Sequence, residues 1–357
     1  MSDTLEHDVA VSIHAFYCGE LAAGRRATDR ILARDDLSPE TDIMARTNRL
    51  WYGRLIGDLC PAVSQHINIG PAQDGWSTFN PTLLHRDGQL WCLVRSSNYR
   101  IVSGRYVMPP GDSKIRTHNI LCRMSADTLQ ATDARVITGP EYLSTDYEIT
   151  GLEDCRLRET ADGVGVSCTV RDVAPFDGRC RIATADLDLD SAAMSNLVVL
   201  DSLSTQDHEK NWMPVVGSQS WVYSCRHNGR VVTVDPDPEL ANAYKMHARK
   251  RVPAICRGFR GGGQVVPIRE GFLAVIHECA FLGHQRAYEH RFVVFDNDLA
   301  ITRVSPPFSF RELRTIEFAA GLAIVGDSVL VSYGHRDETA WMCKILLQQL
   351  LEITQPL

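Results

Sequence analysis

Polar residues of chemically useful types recur along this chain at nearly constant spacing. Five short motifs carry them. They are Asn80-Pro81, Glu153-Asp154-Cys155-Arg156, Glu209-Lys210-Asn211-Trp212, Gly261-Gly262-Gly263-Gln264 and Glu317-Phe318-Ala319-Ala320-Gly321. Each is followed by an apolar strand that ends on a polar residue: Arg95, Arg171, Arg226, His277 or Tyr333. Counted from Asn80, Asp154, Asn211, Gly262 and Phe318, the separations are 15, 17, 15, 15 and 15 residues. Carboxylates, guanidinium groups, a lysine and a histidine gathered at one place do acid–base work and hold anions. They gather if each strand–turn–strand unit is one sector of a radial assembly, its polar set aimed at a common axis.

The elements that must position them are short strands separated by Asp-Gly, Gly-Asp and similar turns after Cys60. The second strand of each unit reads clearly over 88–94, 163–170, 220–225, 271–276 and 328–332. Third strands follow at 181–185 and 291–295. Five units of about 50–60 residues suit four-stranded propeller blades. The expected fold is therefore all-β, a five-bladed β-propeller over 61–357. A β-sandwich, or a pair of β-domains, is the alternative.

Residues 1–60 are expected to form a short helical hairpin. Ala22, Ala23, Ala27, Ile31 and Leu32 are spaced as one helix face, and Ser38-Pro39 reads as an N-cap followed by proline at the first helical position. A second helix is expected from about Pro39 to Leu59, with Ile43, Leu50, Trp51, Tyr52 and Leu55 on it. A single tetratricopeptide-like pair cannot bury its own face. It either caps the following domain or ends a longer ancestral array.

The 357 residues carry a net charge of −7 with no basic block, which argues against nucleic acid or an anionic membrane as partner. Eleven cysteines, with no Cys-x-x-Cys pair, read as buried thiols in a reducing compartment. No signal-like or membrane-spanning apolar stretch is seen, so a cytoplasmic location is expected. Other chemistries fail on spacing. His277-Glu278 is followed by His284, not by a histidine at zinc-protease spacing. No Walker A motif occurs. The Arg260–Gln264 glycine run has no α/β pattern after it and suits close approach of backbone to a ligand. No metal cluster is seen.

Taken together, Gly-Leu-Glu-Asp-Cys-Arg (151–156), Glu-Lys-Asn-Trp-Met-Pro (209–214), the Gly261–Gly263 run, Ile276-His277-Glu278 and Tyr333-Gly334-His335-Arg336-Asp337 resemble the motifs of glycoside hydrolase family 130. Those proteins are five-bladed propellers, mostly β-mannoside phosphorylases with some β-1,2-mannosidases. The related glycosyltransferase family 108 shares the fold and the acid. Ser96-Ser97-Asn98-Tyr99 and the run 288–293 also resemble a propeller attached to bacterial glycosyltransferases with tetratricopeptide repeats.

The resemblance implies an inverting transfer of a mannosyl-type sugar between phosphate and a glycan acceptor, without cofactor or metal, and with Asp154 as general acid. Such an acid needs a raised pKa, supplied by burial or a carboxylate neighbour. The blander alternative is an Asp154–Arg156 pair that ties the blade. Lys210 and His277 match phosphate-binding positions. The family's further phosphate arginine has no match in 192–204, so Arg171 or Arg226 is the candidate substitute. Asn80, Arg95, Arg226 and Asp337 match positions that contact sugar or phosphate, and Glu153, Arg156 and Asn211 stand beside them in the motifs. Trp212, Tyr288 and Tyr333 are candidates to stack on sugar rings or, equally, to pack the core. Glu317 and Glu278 are candidate general bases for a hydrolase. The expected ligand is an oligosaccharide or sugar phosphate. The N-terminal helices are candidates for contact with a second copy or a glycosyltransferase partner. The other readings are a sugar-nucleotide-dependent β-mannosyltransferase, a β-mannosidase, or a non-catalytic glycan-binding propeller.

Overall fold

The computed structural model describes residues 2–140, 147–172, 178–202 and 208–357. Five antiparallel sheets follow one another along the chain. Blade 1 contains Ser77–Arg86, Gln89–Ser97, Ile115–Met124 and Ala131–Val136. Blade 2 contains Glu153–Thr160, Gly163–Val170, Arg181–Asp188 and Ala193–Val199. Blade 3 contains Met213–Pro214, Trp221–His227, Arg230–Pro236 and Tyr244–Arg251. Blade 4 is built on Gly271–Leu282, Gln285–Phe295 and Ile301–Val304, with Arg260–Gly261 and Val266–Ile268 as its split inner edge. Blade 5 contains Glu317–Val325, Ser328–His335 and Thr339–Leu346. Its outer strand is Ala62–His66, so the start of the sheet region closes the ring onto its end.

The apolar alternation of these strands has to be buried between blades. Five clusters do so, one at each interface. Leu93 and Leu121 of blade 1 meet Leu157 and Val166 of blade 2. Ile182 meets Trp212 and Trp221 between blades 2 and 3. Val222 meets Ile276 and Val293 between blades 3 and 4. Val275 and Phe292 meet Leu322 and Val331 between blades 4 and 5. Cys92 and Val94 meet Leu330 and Met342 between blades 5 and 1. Each such fully buried side chain contributes roughly 1.5–3 kcal/mol. All eleven cysteines are free thiols, most of them buried in these strands.

Two features bring the inner strands together at the axis. Gly261, Gly262 and Gly263 lie against backbone of neighbouring strands, where a Cβ would collide with Asn211, Val275 and Gly321. Gln264, fully buried, places its amide nitrogen 2.8 Å from Thr82 Oγ1, 2.6 Å from Leu83 O and 2.9 Å from Leu157 O. Its Oε1 accepts the Leu322 N–H. One side chain thus ties blade 4 to blades 1, 2 and 5. The glycine run serves close approach of blade to blade rather than of backbone to ligand.

The helical lead-in has three helices, not a hairpin: Ser2–Tyr17, Leu21–Leu32 and Pro39–Arg49. Ser38 Oγ accepts the Thr41 N–H and Pro39 follows it, as the cap signal implies. The third helix stops at Arg49, short of Leu59, and passes into a 3-10 turn at Leu50–Tyr52. Ile43 and Trp51 are exposed, and the helix turns Arg46 and Arg49 inward instead. Arg49 Nη2 lies 3.1 Å from Glu278 Oε2 and Arg49 Nε lies 2.8 Å from Glu289 Oε2. Arg46 also binds Glu278, and Arg291 Nε contacts Glu278 Oε1 at 2.7 Å. This buried ionic cluster docks the third helix on blade 4. It also removes Glu278 from the candidates for a general base.

Candidate active site

The inner strands of blades 1 and 2 carry irregularities where the motifs lie, Phe79/Thr82 and Ser167/Thr169 in register terms. Asn80 and Asp154 sit in them with φ of 48° each, and Asn211 has φ 63°. Asn and Asp tolerate this left-handed conformation better than other non-glycine residues. The extra residue breaks the two-residue alternation. Glu153 and Asp154 therefore both line one cleft at the mouth of the ring, although neighbours in a regular strand point to opposite faces. Arg156, expected on the Asp154 face, points into the body instead. Its guanidinium donates to Gly262 O (2.7 Å), Asp154 O (2.8 Å) and Asn211 Oδ1 (3.3 Å). It is a tie between blades 2, 3 and 4, not part of the cleft wall.

The cleft encloses about 320 Å³. It brings together ten of the residues singled out in the sequence: Asn80, Arg95, Glu153, Asp154, Arg171, Lys210, Asn211, His277, Tyr288 and Asp337. On the side of blades 1, 2 and 5 the charges are matched. Arg95, 4% exposed, contacts Asp154 Oδ1 at 3.0 Å and Glu153 Oε1 at 2.5 Å. Asn80 Nδ2 donates to Asp154 Oδ1 (2.8 Å), and Tyr99 Oη donates to Asp337 Oδ2 (2.9 Å). On the side of blades 3 and 4 they are not. Lys210 and Arg260 form no ion pair with any described residue. The buried His277 leaves Nδ1 without a hydrogen-bond partner, its ring tilted on Tyr288 and edge-on to Phe318, each with centroids 5.1 Å apart.

The two carboxyl groups facing each other in the matched half are driven apart. Burial alone would raise Asp154, but the Arg95 charge, the Asn80 hydrogen bond and Arg156 outweigh it and hold the carboxyl below its ordinary value. The expected raised pKa is thus not found at Asp154. Asp337 is raised, by burial first and by the Asp154 charge in addition, against the pull of Arg95. His277 is held well below the ordinary imidazole value by burial, then by His290, Arg260, Arg156 and Lys210. A neutral ring donates one N–H and accepts at the other nitrogen.

Four further residues named in the sequence lie away from the cleft. Trp212 is buried among Trp221, Tyr223 and Tyr244, with Nε1 donating to Glu209 Oε2 at 3.2 Å. Tyr333 is fully buried and stacks on Phe310 at 4.5 Å. Glu317, also fully buried, accepts the N–H groups of Phe310 (2.6 Å), Arg311 (2.9 Å) and Glu312 (2.8 Å). Burial pushes it up to about 7 against those three donors. It anchors the loop before blade 5 and has no access as a base. Arg226 lies in a neighbouring basin of about 610 Å³, which shares Lys210, Asn211 and Arg260 with the cleft. Its Nη1 donates to Arg257 O at 2.9 Å. The stretch 192–204 is described only to Ser202.

Sequence reasoning missed Arg260, Arg286, Tyr99 and Tyr106, all in the cleft wall. Arg260 had a signal, since it pairs across the ladder with His277 and immediately precedes the glycine run. Arg286 stands near the start of the blade 4 strand Gln285–Phe295 and touches Tyr106 of the short hairpin Arg100–Val102 with Arg105–Val107, Arg286 Nη2 to Tyr106 Oη at 2.9 Å.

The fold and cleft define a five-bladed propeller with a polar, mixed-charge mouth. No protein-family model matches the chain, and no curated protein matches it by sequence. Solved structures do match in fold. A β-1,2-mannobiose phosphorylase from Listeria innocua aligns over 80% of this chain and 94% of its own, with TM-score 0.53 and 13% identity. A family 130 structure, described for glycoside hydrolases that target β-1,2-mannosidic linkages in Candida mannan, aligns over 83% and 97% (TM-score 0.52, 15% identity). A glycosyl hydrolase from Bacteroides ovatus aligns over 81% and 92% (TM-score 0.50, 13% identity). The likeness to glycoside hydrolase family 130 read from the motifs is therefore present in the fold.

Proposed function

We propose that this protein is a carbohydrate-active enzyme of the family 130 type that transfers a mannosyl-type sugar between phosphate and a glycan acceptor with inversion. One observation carries the reading. A single cleft holds a paired carboxylate, Asp154, on one side of the axis and, on the other, the cations Lys210 and Arg260, which form no ion pair among the described residues. A glycosyl transfer needs a proton at the glycosidic oxygen and a nucleophile on the opposite face of the ring. In the phosphorolytic direction a phosphate oxygen attacks the anomeric carbon. The C–O bond to the acceptor sugar breaks, and its oxygen takes the proton for which Asp154 is responsible. A phosphate bears up to two negative charges and needs cationic donors to hold it in line. Lys210, Arg260, Arg171 and the neutral His277 N–H supply that set, with Arg260 in the role sought for Arg226.

Arg95 and Asn80 hold Asp154 as a carboxylate, so its proton must be acquired with the substrate. A bound phosphate beside Arg171 and Lys210 adds negative charge to the cleft and favours the protonated carboxyl. A second observation favours Asp337 as a proton holder. It is raised, it accepts from Tyr99, and it is close enough to Asp154 to feel its charge. The remaining polar groups, Asn80, Arg95, Asn211 and Arg286, suit directional bonds to vicinal hydroxyls.

The test is release of phosphate from α-mannose 1-phosphate offered with a panel of sugar acceptors, with Asp154→Asn as control. Release that needs both the acceptor and Asp154 is expected. Sugar-dependent release unchanged in Asp154→Asn would sink the assignment of the acid. No release with any acceptor would overturn the phosphorylase reading.

A further inference from the structure

A second cavity of about 350 Å³ lies behind the wall of the central cleft, between blades 1 and 2. The wall is a short parallel pairing, Ile115 with Ile149 and Arg116 with Thr150. Successive residues of a strand face opposite ways. Ile115 and Ile149 line the central cleft, and Arg116 and Thr150 line the second cavity.

Two buried side chains on its lining are half used. Asn119, 6% exposed, donates from Nδ2 to Leu152 O at 3.0 Å, and its Oδ1 has no partner. Asp172, 4% exposed, accepts the Gly151 N–H on Oδ2 at 3.2 Å, and its Oδ1 has no partner. Each therefore grips the backbone just ahead of Glu153-Asp154 with one atom and leaves the other unsatisfied. Buried acceptors of this kind call for a donor, and none of the described residues supplies one.

The chemistry of that donor is constrained by the rim. Lys114, Arg116 and His118 add cationic or N–H groups to the same cavity. A metal ion or an ammonium group is opposed by Arg116. A phosphate or carboxylate is opposed by the two orphan oxygens, one of them on an aspartate. A hydroxyl meets both demands, since it donates to Asn119 and Asp172 while accepting from Arg116 or His118. The cavity falls in the size range of small-molecule sites.

We propose that this cavity is a second saccharide-binding site, which takes a neutral, hydroxyl-rich ring on Asn119 Oδ1 and Asp172 Oδ1. The choice of a saccharide rests on the sugar reading of the central cleft. Because Asn119 and Asp172 also hold the Gly151-Leu152 backbone, a ring bound there presses on the strand that carries Asp154.

Crystals soaked in mannose, and separately in β-1,2-mannobiose, test it directly. A ring in the second cavity, its hydroxyls within hydrogen-bond reach of both oxygens, is the expected result. Water on both oxygens with sugar in the central cleft alone overturns this proposal and leaves the active-site reading standing. Sugar in the second cavity alone supports it and counts against the central cleft. Sugar in neither overturns both. In solution, calorimetric titration with mannobiose should resolve two classes of site in the wild type. Arg116→Ala should weaken one class about tenfold, the size of one lost hydrogen bond to a charged donor. Asn119→Leu should abolish that class. Titration curves for both variants that match the wild type overturn the proposal.

Discussion

Blades 5, 1 and 2 meet the central cleft in a different way from blades 3 and 4. In the first group every charge has a partner: Arg95 lies between Glu153 and Asp154, and Asp337 accepts from Tyr99. In the second, Lys210 and Arg260 have none among the described residues, and His277 keeps a buried nitrogen free. Both groups come from the same repeated unit. The difference teaches what each half is for. A matched half is assembled before any ligand arrives and fixes geometry. An unmatched half is completed by the charge that a ligand brings.

The largest effect expected is on turnover. Asp154→Asn keeps an oxygen for Asn80 and Arg95 but cannot deliver a proton. It should lower kcat by about 10²–10⁴-fold, the usual worth of a positioned acid, while sugar binding measured by calorimetry stays within a few-fold. A variant that loses binding in proportion to kcat would show Asp154 to be a sugar ligand only. The comparison itself is broken or kept by stability. Arg95→Met strands two carboxylates in a mostly buried setting and should cost about 3–5 kcal/mol in urea unfolding. Lys210→Met removes an exposed charge without a partner and should change stability by less than about 0.5 kcal/mol. Equal losses in the two variants would erase the distinction between the halves.

Much of this arrangement was legible in the chain because the repeat fixes it. Asn80, Asp154 and Asn211 recur at matching positions, and each adopts the left-handed backbone that Asn and Asp accept. Lys210 and His277 follow from the same spacing. One cause governs the face assignments. Face assignments from sequence assume strict alternation, and the irregularities in the inner strands break it. So Arg156 was expected beside Asp154 and instead ties blades, and Glu153 lines the cleft although regular alternation sends it away. Trp212, Tyr333 and Glu317 sit at strand ends where an aromatic or a carboxylate looks the same whether it faces a ligand or a core. Only the packing of Phe310 on Tyr333 and the three N–H groups on Glu317 decide. Arg286 gave no signal because it lies near the tip of the long blade 4 hairpin, beyond the stretch that the repeat marks, and Tyr106 because its short hairpin is not part of the repeat. The first helix, Ser2–Tyr17, was missed for lack of a clear apolar stripe.

The unmatched half is sharpened by substrate kinetics. Lys210→Met and Arg260→Met each remove a charged donor from a phosphate, worth about 1.5–3 kcal/mol. Each should raise the KM for phosphate roughly ten- to hundredfold, with the KM for the glycan little changed. A uniform rise in both constants would indicate that the two cations hold the sugar rather than the anion.

The smallest effect expected is a pH dependence that His277 imposes on folding. Its folded pKa is depressed, chiefly by burial. Below the ordinary value of about 6.5 the unfolded chain takes up a proton that the folded ring refuses, so stability falls as pH falls and levels off above that value. His290, lowered to about 3 by burial, adds a similar slope. His277→Gln should therefore lessen the fall between pH 7 and pH 5, read as urea midpoints. Added phosphate should flatten the wild-type curve, because an anion beside Lys210 and Arg260 favours the protonated imidazole. The His277→Gln curve should not respond in that way. If phosphate leaves the wild-type slope untouched, then the charge that completes blades 3 and 4 is not held next to His277.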